Sequence, residues 1–150
     1  MNIHIRPIGF VVNERTEKSD SHWSTIESRI ELASEFDSDS LEGIELFSHL
    51  EILFYFDKSE KEFKGSEHPR GNIKYPKVGI FAQRKKDRPN HIGATIVNLI
   101  RKEDTALIVS NLDAIHGTPV LDIKPVFNEY LPKGIVKQPD WTTELMEDYW

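Results

Sequence analysis

The apolar residues of this chain come in short runs rich in β-branched and aromatic side chains, each closed by turn-forming residues and almost nowhere at helical spacing. Such runs fold as strands. "IHIRPIGFVV" predicts one from about Ile3 to Val12, "ESRIELA" a half-buried second, and "LEILFYF" (Leu50 to Phe56) a central third, too short and too aromatic for a comfortable helix. Later, "VGIFA" and "IGATIVNLI" read as two more, and "ALIVSNL" returns beyond a turn at "RKEDT" as the partner of an antiparallel hairpin. Ile92, Ala94 and Ile96 fall on one face of that hairpin and Val97 and Leu99 on the other, which predicts a barrel wall covered from outside or a subunit interface. Ser40 is a candidate cap for one helical turn ending at Gly43. The one full helix is expected in "TTELMEDYW", capped by Thr142 or Thr143, with Leu145, Met146, Tyr149 and Trp150 docking it. With no βαβ alternation, the expected fold class is all-β, a mainly antiparallel barrel with a short C-terminal helix, in a single domain over residues 1–150.

Composition excludes several functions. There is no cysteine, so no disulfide framework, thiolate metal site or thiol nucleophile exists. The N-terminus lacks a long apolar segment and no run approaches the roughly 18 apolar residues of a membrane span, so a soluble, cytoplasmic protein is expected. A net charge of −6 argues against nonspecific coating of nucleic acid, although a local basic patch has its own field. None of the six histidines stands in H-x-x-x-H or H-E-x-x-H spacing, and G-x-S-x-G and G-x-G-x-x-G are both absent.

Two polar islands remain. Between "GIFA" and "IGATIV" the loop Gln83–His91 carries Arg84, Lys85, Lys86, Arg88, Asn90 and His91, far more than the about 2–5 residues a reversal needs. Leu112–Val126, "LDAIHGTPVLDIKPV", sets Asp113, His116, Thr118, Asp122 and Lys124 around a Gly117-Thr118-Pro119 turn. A carboxylate beside exposed backbone groups suits a polar, hydroxylated ligand; equally, Asp113 and Thr118 can fix a turn while Asp122 and Lys124 form a surface pair. A charged excursion from Asp57 to Pro76 is of a length usually functional or disordered.

Together these stretches resemble a known family, the tRNA N6-threonylcarbamoyladenosine-37 methyltransferases of the TsaA-like β-barrel class (TrmO or YaeB-like). The match runs through "PIGFV", "LEGIELFSHLEILFYF", "GIFAQRKKDRPNHIG" and "LDAIHGTPVLDIKP", against family patterns close to G-V-F-A-T-R-x-x-x-R-P-N-P-I-G and L-D-x-x-D-G-T-P-V-L-D-I-K-P. The chain looks like a short branch, without the extra C-terminal domain of longer members. Gln83, His91 and His116 stand where the family has Thr, Pro and Asp.

The resemblance implies S-adenosyl-L-methionine as cofactor, a homodimer, and the tRNA anticodon loop as partner, with methyl transfer to N6 of threonylcarbamoyladenosine at position 37. Carried over by position, Asp57, Lys58, Arg84, Leu112, Asp113, Ala114 and Ile115 are the implied cofactor contacts, Asp57 and Lys58 departing from the family's usual residues. Lys85, Arg88, Asn90, His116 and Thr118 are the implied substrate contacts. Arg84 suits bidentate pairing with a carboxylate or phosphate. Asp113, Asp122 and His116 are candidate proton acceptors, none singled out, and Trp23 and Tyr75 candidate base-stacking residues. A small-molecule or nucleotide acceptor, and a non-enzymatic binding module for S-adenosylmethionine or a nucleotide, stand as alternatives.

Overall fold

The computed structural model describes residues 1–150. Six strands close into an antiparallel barrel: β1 (Gly9–Val12), β2 (Glu27–Leu32), β3 (His49–Tyr55), β6 (Ile92–Glu103), β7 (Ala106–Ser110) and β8 (Pro119–Pro125), in the order β1-β2-β7-β6-β3-β8. A separate two-stranded ribbon pairs β4 (Ser66–Glu67) with β5 (Val78–Gly79), and one helix, α1, spans Asp140–Leu145. Closure leaves the barrel without an unpaired edge.

Period-two alternation fills the interior. Leu50, Ile52 and Phe54 of β3, Val97 of β6, Leu107 and Val109 of β7, Ile30 of β2, Val11 of β1 and Val120 of β8 form one buried cluster with Leu112 and Ala114. Each large side chain so buried contributes roughly 1.5–3 kcal/mol. Gly93 stands opposite Phe54 in the β3–β6 ladder, and a Cβ there would lie 2.5 Å from the Phe54 ring and 2.9 Å from that of Phe56. Glycine is what lets the Phe54–Phe56 edge-to-face pair, at 5.2 Å, close over that strand.

The barrel is as expected, but several boundaries differ. Residues 1–7 form no strand: β1 starts at Gly9, because Pro7 has no N–H to give and the ladder needs partners that only Ile8 onward finds, Ile8 N–H donating to Val120. "VGIFA" yields only the two residues of β5 before a 3-10 turn over Ile80–Ala82, whose buried Ile80 is held by a bond from its N–H to the Gly65 carbonyl. Asp37, not Ser40, caps the 3-10 turn Ser38–Leu41, accepting from the Asp39 N–H at 3.1 Å. β6 continues to Glu103, leaving a turn of only Asp104 and Thr105, and bulges near Ile100.

The C-terminal helix begins and ends earlier than its spacing predicts. Its N-cap is Pro139 and it stops at Leu145; Thr142 lies inside, its hydroxyl donating back to the Pro139 carbonyl at 2.7 Å. Tyr149 and Trp150 therefore lie past the helix, Tyr149 in a turn that its N–H closes on the Met146 carbonyl at 3.1 Å. Backbone bonds from the loop before β2 hold them: the N–H groups of His22, Trp23 and Ser24 donate to the carbonyls of Asp148, Tyr149 and Trp150 at 2.8–3.1 Å. No helix is long and apolar enough to cross a membrane.

Candidate functional site

Antiparallel closure brings the ends of β1, β3 and β7 and the starts of β2, β6 and β8 to the same mouth of the barrel. Both polar islands, the excursion after β3 and the Asp148–Trp150 segment are attached there. The opposite mouth is covered by the turns of residues 38–46 and holds a cavity of about 180 Å³ lined by Ile8, Leu32, Phe36, Ser40, Leu41, Ile44 and Ile123.

Asp113, half-buried, lies just beyond the end of β7. Thr95, on the inward face of β6 between Gly93 and Val97, donates its hydroxyl to one carboxylate oxygen, and the Tyr149 hydroxyl donates to the other. Burial, and then the facing Asp113 charge, raise the Tyr149 phenol far above its ordinary range, so it stays a neutral donor. One residue back along β6, the Ala94 carbonyl accepts from Arg84 Nη2 at 2.6 Å. The adjacent β6 residues 94 and 95 thus mark the meeting of the first island with the second. Leu112 and Ala114 turn their side chains into the core, so only their backbone is available at the mouth, and the Ala114 carbonyl already accepts from Asn13 Nδ2 at 2.9 Å. Asn13 also donates to buried Ser28, at 2.9 Å.

The turn after Asp113 is held from β1. Gly117 N–H donates to Val11 and His116 N–H to Arg15, both at 2.7 Å, while Thr118 is buried. Gly117 has φ +85°, a conformation that favours glycine. His116 is exposed, its Nδ1 accepting from the Asn13 N–H at 3.4 Å.

The basic loop is stitched to the excursion. Asp87 accepts from Ser59 at 2.5 Å, His91 Nε2 donates to the Lys61 carbonyl at 2.9 Å, and Phe56 N–H donates to the His91 carbonyl at 2.8 Å. Partial burial would raise the Asp87 carboxyl, but the Ser59 bond and the cations of Lys86 and Lys85 outweigh it and hold the group below its usual range. Asn90 and His91 both take positive φ, so the loop reverses without glycine. Within it, Lys85 is ion-paired with Glu67 and lies over the Phe63 ring at 4.9 Å, Lys86 pairs with Asp87 at 3.3 Å, and Arg88 donates to the Gln83 carbonyl at 2.8 Å. Arg84 has no acidic partner; Asp57, Lys58 and Lys61 on the excursion are exposed, and Lys18 reaches the Lys58 carbonyl at 2.8 Å. Free positive charge at this mouth therefore sits on Arg84, Lys58, Lys61 and Lys18 more than on Lys85 and Lys86.

Two expectations need correction. Trp23 is 3% exposed and Tyr75 8%, so neither ring is free to stack on a base: Trp23 packs under Arg15 at 4.4 Å and Tyr75 against Trp141 at 6.1 Å. Asp122 is remote from Asp113 in role; it lies on the outer wall opposite Leu53, paired with Lys124. The excursion is ordered by the β4–β5 ribbon and the bonds above. Thr95 and Tyr149 were missed: one reads as an inward strand residue, the other as part of a helix.

The donor set can be matched to a ligand by chemistry. A carboxylate with two spare lone-pair positions, a guanidinium with one edge free and backbone groups at a tight turn complement a zwitterionic amino acid and a sugar. Residues 11–131 match the model of a family described as the tRNA-methyltransferase O N-terminal domain. A Homo sapiens protein named tRNA (adenine(37)-N6)-methyltransferase is 42% identical over 100 residues, covering 67% of this chain and 23% of that one. A Methanothermobacter thermautotrophicus protein named "Probable S-adenosyl-L-methionine-binding protein" is 37% identical over 133 residues, covering 86% of this chain and 93% of its own. The crystal structure of TrmO from Pseudomonas aeruginosa superposes with a TM-score of 0.74 at 29% identity, covering 91% of this chain and 62% of that one. This chain therefore spans less than a quarter of the human relative but nearly all of the Methanothermobacter one.

Proposed function

The chain belongs to the family of the tRNA-methyltransferase O N-terminal domain, and from that premise we propose that it binds S-adenosylmethionine at the mouth marked by Asp113 and Arg84 and methylates N6 of threonylcarbamoyladenosine 37 in a tRNA. The observation that carries the reading is the joining of the two islands at Ala94 and Thr95, which sets a carboxylate and a guanidinium at one end of the barrel. Asp113 would hold the ligand's ammonium and Arg84 its carboxylate, with Leu112–Ile115 offering backbone at the same place. S-adenosylmethionine, when bound, supplies a methyl group already activated by its sulfonium. The protein's share is then orientation and charge placement. Arg84, Lys58, Lys61 and Lys18 would meet phosphates, and Phe81, exposed three residues before Arg84, is an available face for an unstacked base. The chain pairs as a homodimer through the outer face of β6, where Ile92, Ile96 and Ile100 are 36%, 49% and 46% exposed beside Tyr55.

Calorimetric titration with S-adenosylmethionine, of wild type, Arg84→Ala and Asp113→Ala, tests the site. Saturable binding weakened in both variants supports it, and intact protein that binds nothing refutes it. Incubation with tRNA bearing the modified adenosine, read by nucleoside mass spectrometry, then tests the acceptor. Binding without transfer would favour the second reading, a ligand-binding module, which the name of the Methanothermobacter relative supports.

A further inference from the structure

The chemistry so far assigned to this mouth comes from the two islands, yet both hydroxyls that hold Asp113 come from outside them, Thr95 from β6 and Tyr149 from the C-terminal segment. Tyr149 lies 36 residues further along the chain, past β8 and α1, and its hydroxyl meets the Asp113 oxygen that Thr95 does not. It is carried there by anchors that owe nothing to Asp113. Three backbone bonds join Asp148, Tyr149 and Trp150 to His22, Trp23 and Ser24; Ser24 Oγ donates to the Trp150 carbonyl; and Arg70 Nη1 donates to the Leu145 carbonyl at 2.8 Å while its Nε faces Asp20 at 3.6 Å. The segment is thus docked on the loop before β2 and on the excursion before β5, and presents one hydroxyl to the carboxylate.

We propose that Tyr149 is a positioning residue of the ligand site, acting through Asp113: its hydroxyl and that of Thr95 fix the carboxylate in one orientation, so that its remaining lone pairs face the ligand's ammonium. This rests on the S-adenosylmethionine reading given above. A carboxylate offers about four lone-pair positions, and two hydroxyl donors leave two. Held from both oxygens, the group loses little side-chain entropy on binding, the usual source of gain from preorganisation. Tyrosine suits the task because it supplies one donor and no positive charge, so the carboxylate keeps its full attraction for a cation. An arginine or lysine in that place would neutralise it.

The test is a double-mutant cycle in S-adenosylmethionine affinity, measured by calorimetry on wild type, Tyr149→Phe, Asp113→Asn and the double variant. Tyr149→Phe keeps every backbone anchor of the segment. A hydrogen bond to a charged group contributes enough to change affinity about tenfold, and that loss is expected in Tyr149→Phe but not when the same change is made in Asp113→Asn. An equal loss in both backgrounds would overturn the proposal, since a tyrosine that merely holds the segment in place acts regardless of residue 113. Unchanged or tighter binding by Tyr149→Phe would also overturn it, tighter binding marking the hydroxyl as a competitor of the ligand; in each of these cases binding by the wild type leaves the function standing. A wild type that binds no S-adenosylmethionine overturns both.

Discussion

Replacing Gly93 by alanine puts a methyl group where two aromatic rings already sit. The added Cβ would lie 2.5 and 2.6 Å from the Phe54 ring and 2.9 Å from that of Phe56, where an ordinary contact begins near 3.4 Å. Phe54 is 1% exposed and packed among the core residues of β3, β6 and β8, so its ring has no void to enter; the strand or the ring must shift by most of an ångström. Overpacking of this kind costs about 1–3 kcal/mol, and the two rings place Gly93→Ala toward the upper end. For a domain of this size about 2–4 °C of Tm follows each kcal/mol. Urea denaturation and calorimetry of Gly93→Ala should therefore show a Tm lower by roughly 4–10 °C. Phe54→Leu removes the ring that is struck, so Gly93→Ala made in that background should cost less than half as much. If Gly93→Ala matches wild type within about 0.5 kcal/mol, or costs the same in the Phe54→Leu background as in the wild type, steric exclusion is not what requires glycine here.

Burial and the Asp113 charge raise the Tyr149 phenol, so the stability this group contributes is fully present below the unfolded value of about pH 10 and falls as pH rises beyond it. Urea denaturation from about pH 8 to 11, spanning that unfolded value, should show the advantage of wild type over Tyr149→Phe shrinking in the upper part of the range; a constant gap would refute the assignment. Glu103 faces Arg101 at 2.7 Å and also pairs with Arg29, and these bonds hold its carboxyl below the ordinary range. The resulting stability is present above the unfolded value of about 4.3 and is lost as pH falls through the lower folded value. The destabilisation of Arg101→Gln should accordingly shrink both in acid and in about 1 M salt, as exposed ion pairs do, and thermal melts insensitive to both would contradict it. Ile96→Glu should convert a dimer into a monomer by light scattering, and a wild type already monomeric, or a variant still dimeric, would remove β6 as the interface.

How much was legible can be judged element by element. Leu50, Ile52 and Phe54 announce β3 by composition and alternation, and the hairpin of β6 and β7 follows from its apolar runs, because those signals reside in neighbouring residues. The two islands, and through them the family, were legible for the same reason: each is a contiguous run of residues. Other features were set at a distance. Whether residues 3–7 extend a strand depended on a partner ladder that starts only at Ile8, and whether Trp23 and Tyr75 are free depended on Arg15 and Trp141, which pack against them. Tyr149 had helical spacing, but the helix ends at Leu145 and the N–H groups of His22–Ser24 hold the turns that follow it. By itself the sequence determined the class of fold, the buried stripes and the chemical groups on offer, since propensity and periodicity act over a few residues. Only the tertiary structure decided which groups meet at Asp113: barrel closure sends Thr95 and Asp113 to one mouth, the bonds from His22–Ser24 bring Tyr149 there, and hydrogen bonds between residues 18 and 36 positions apart have no signature in any local run.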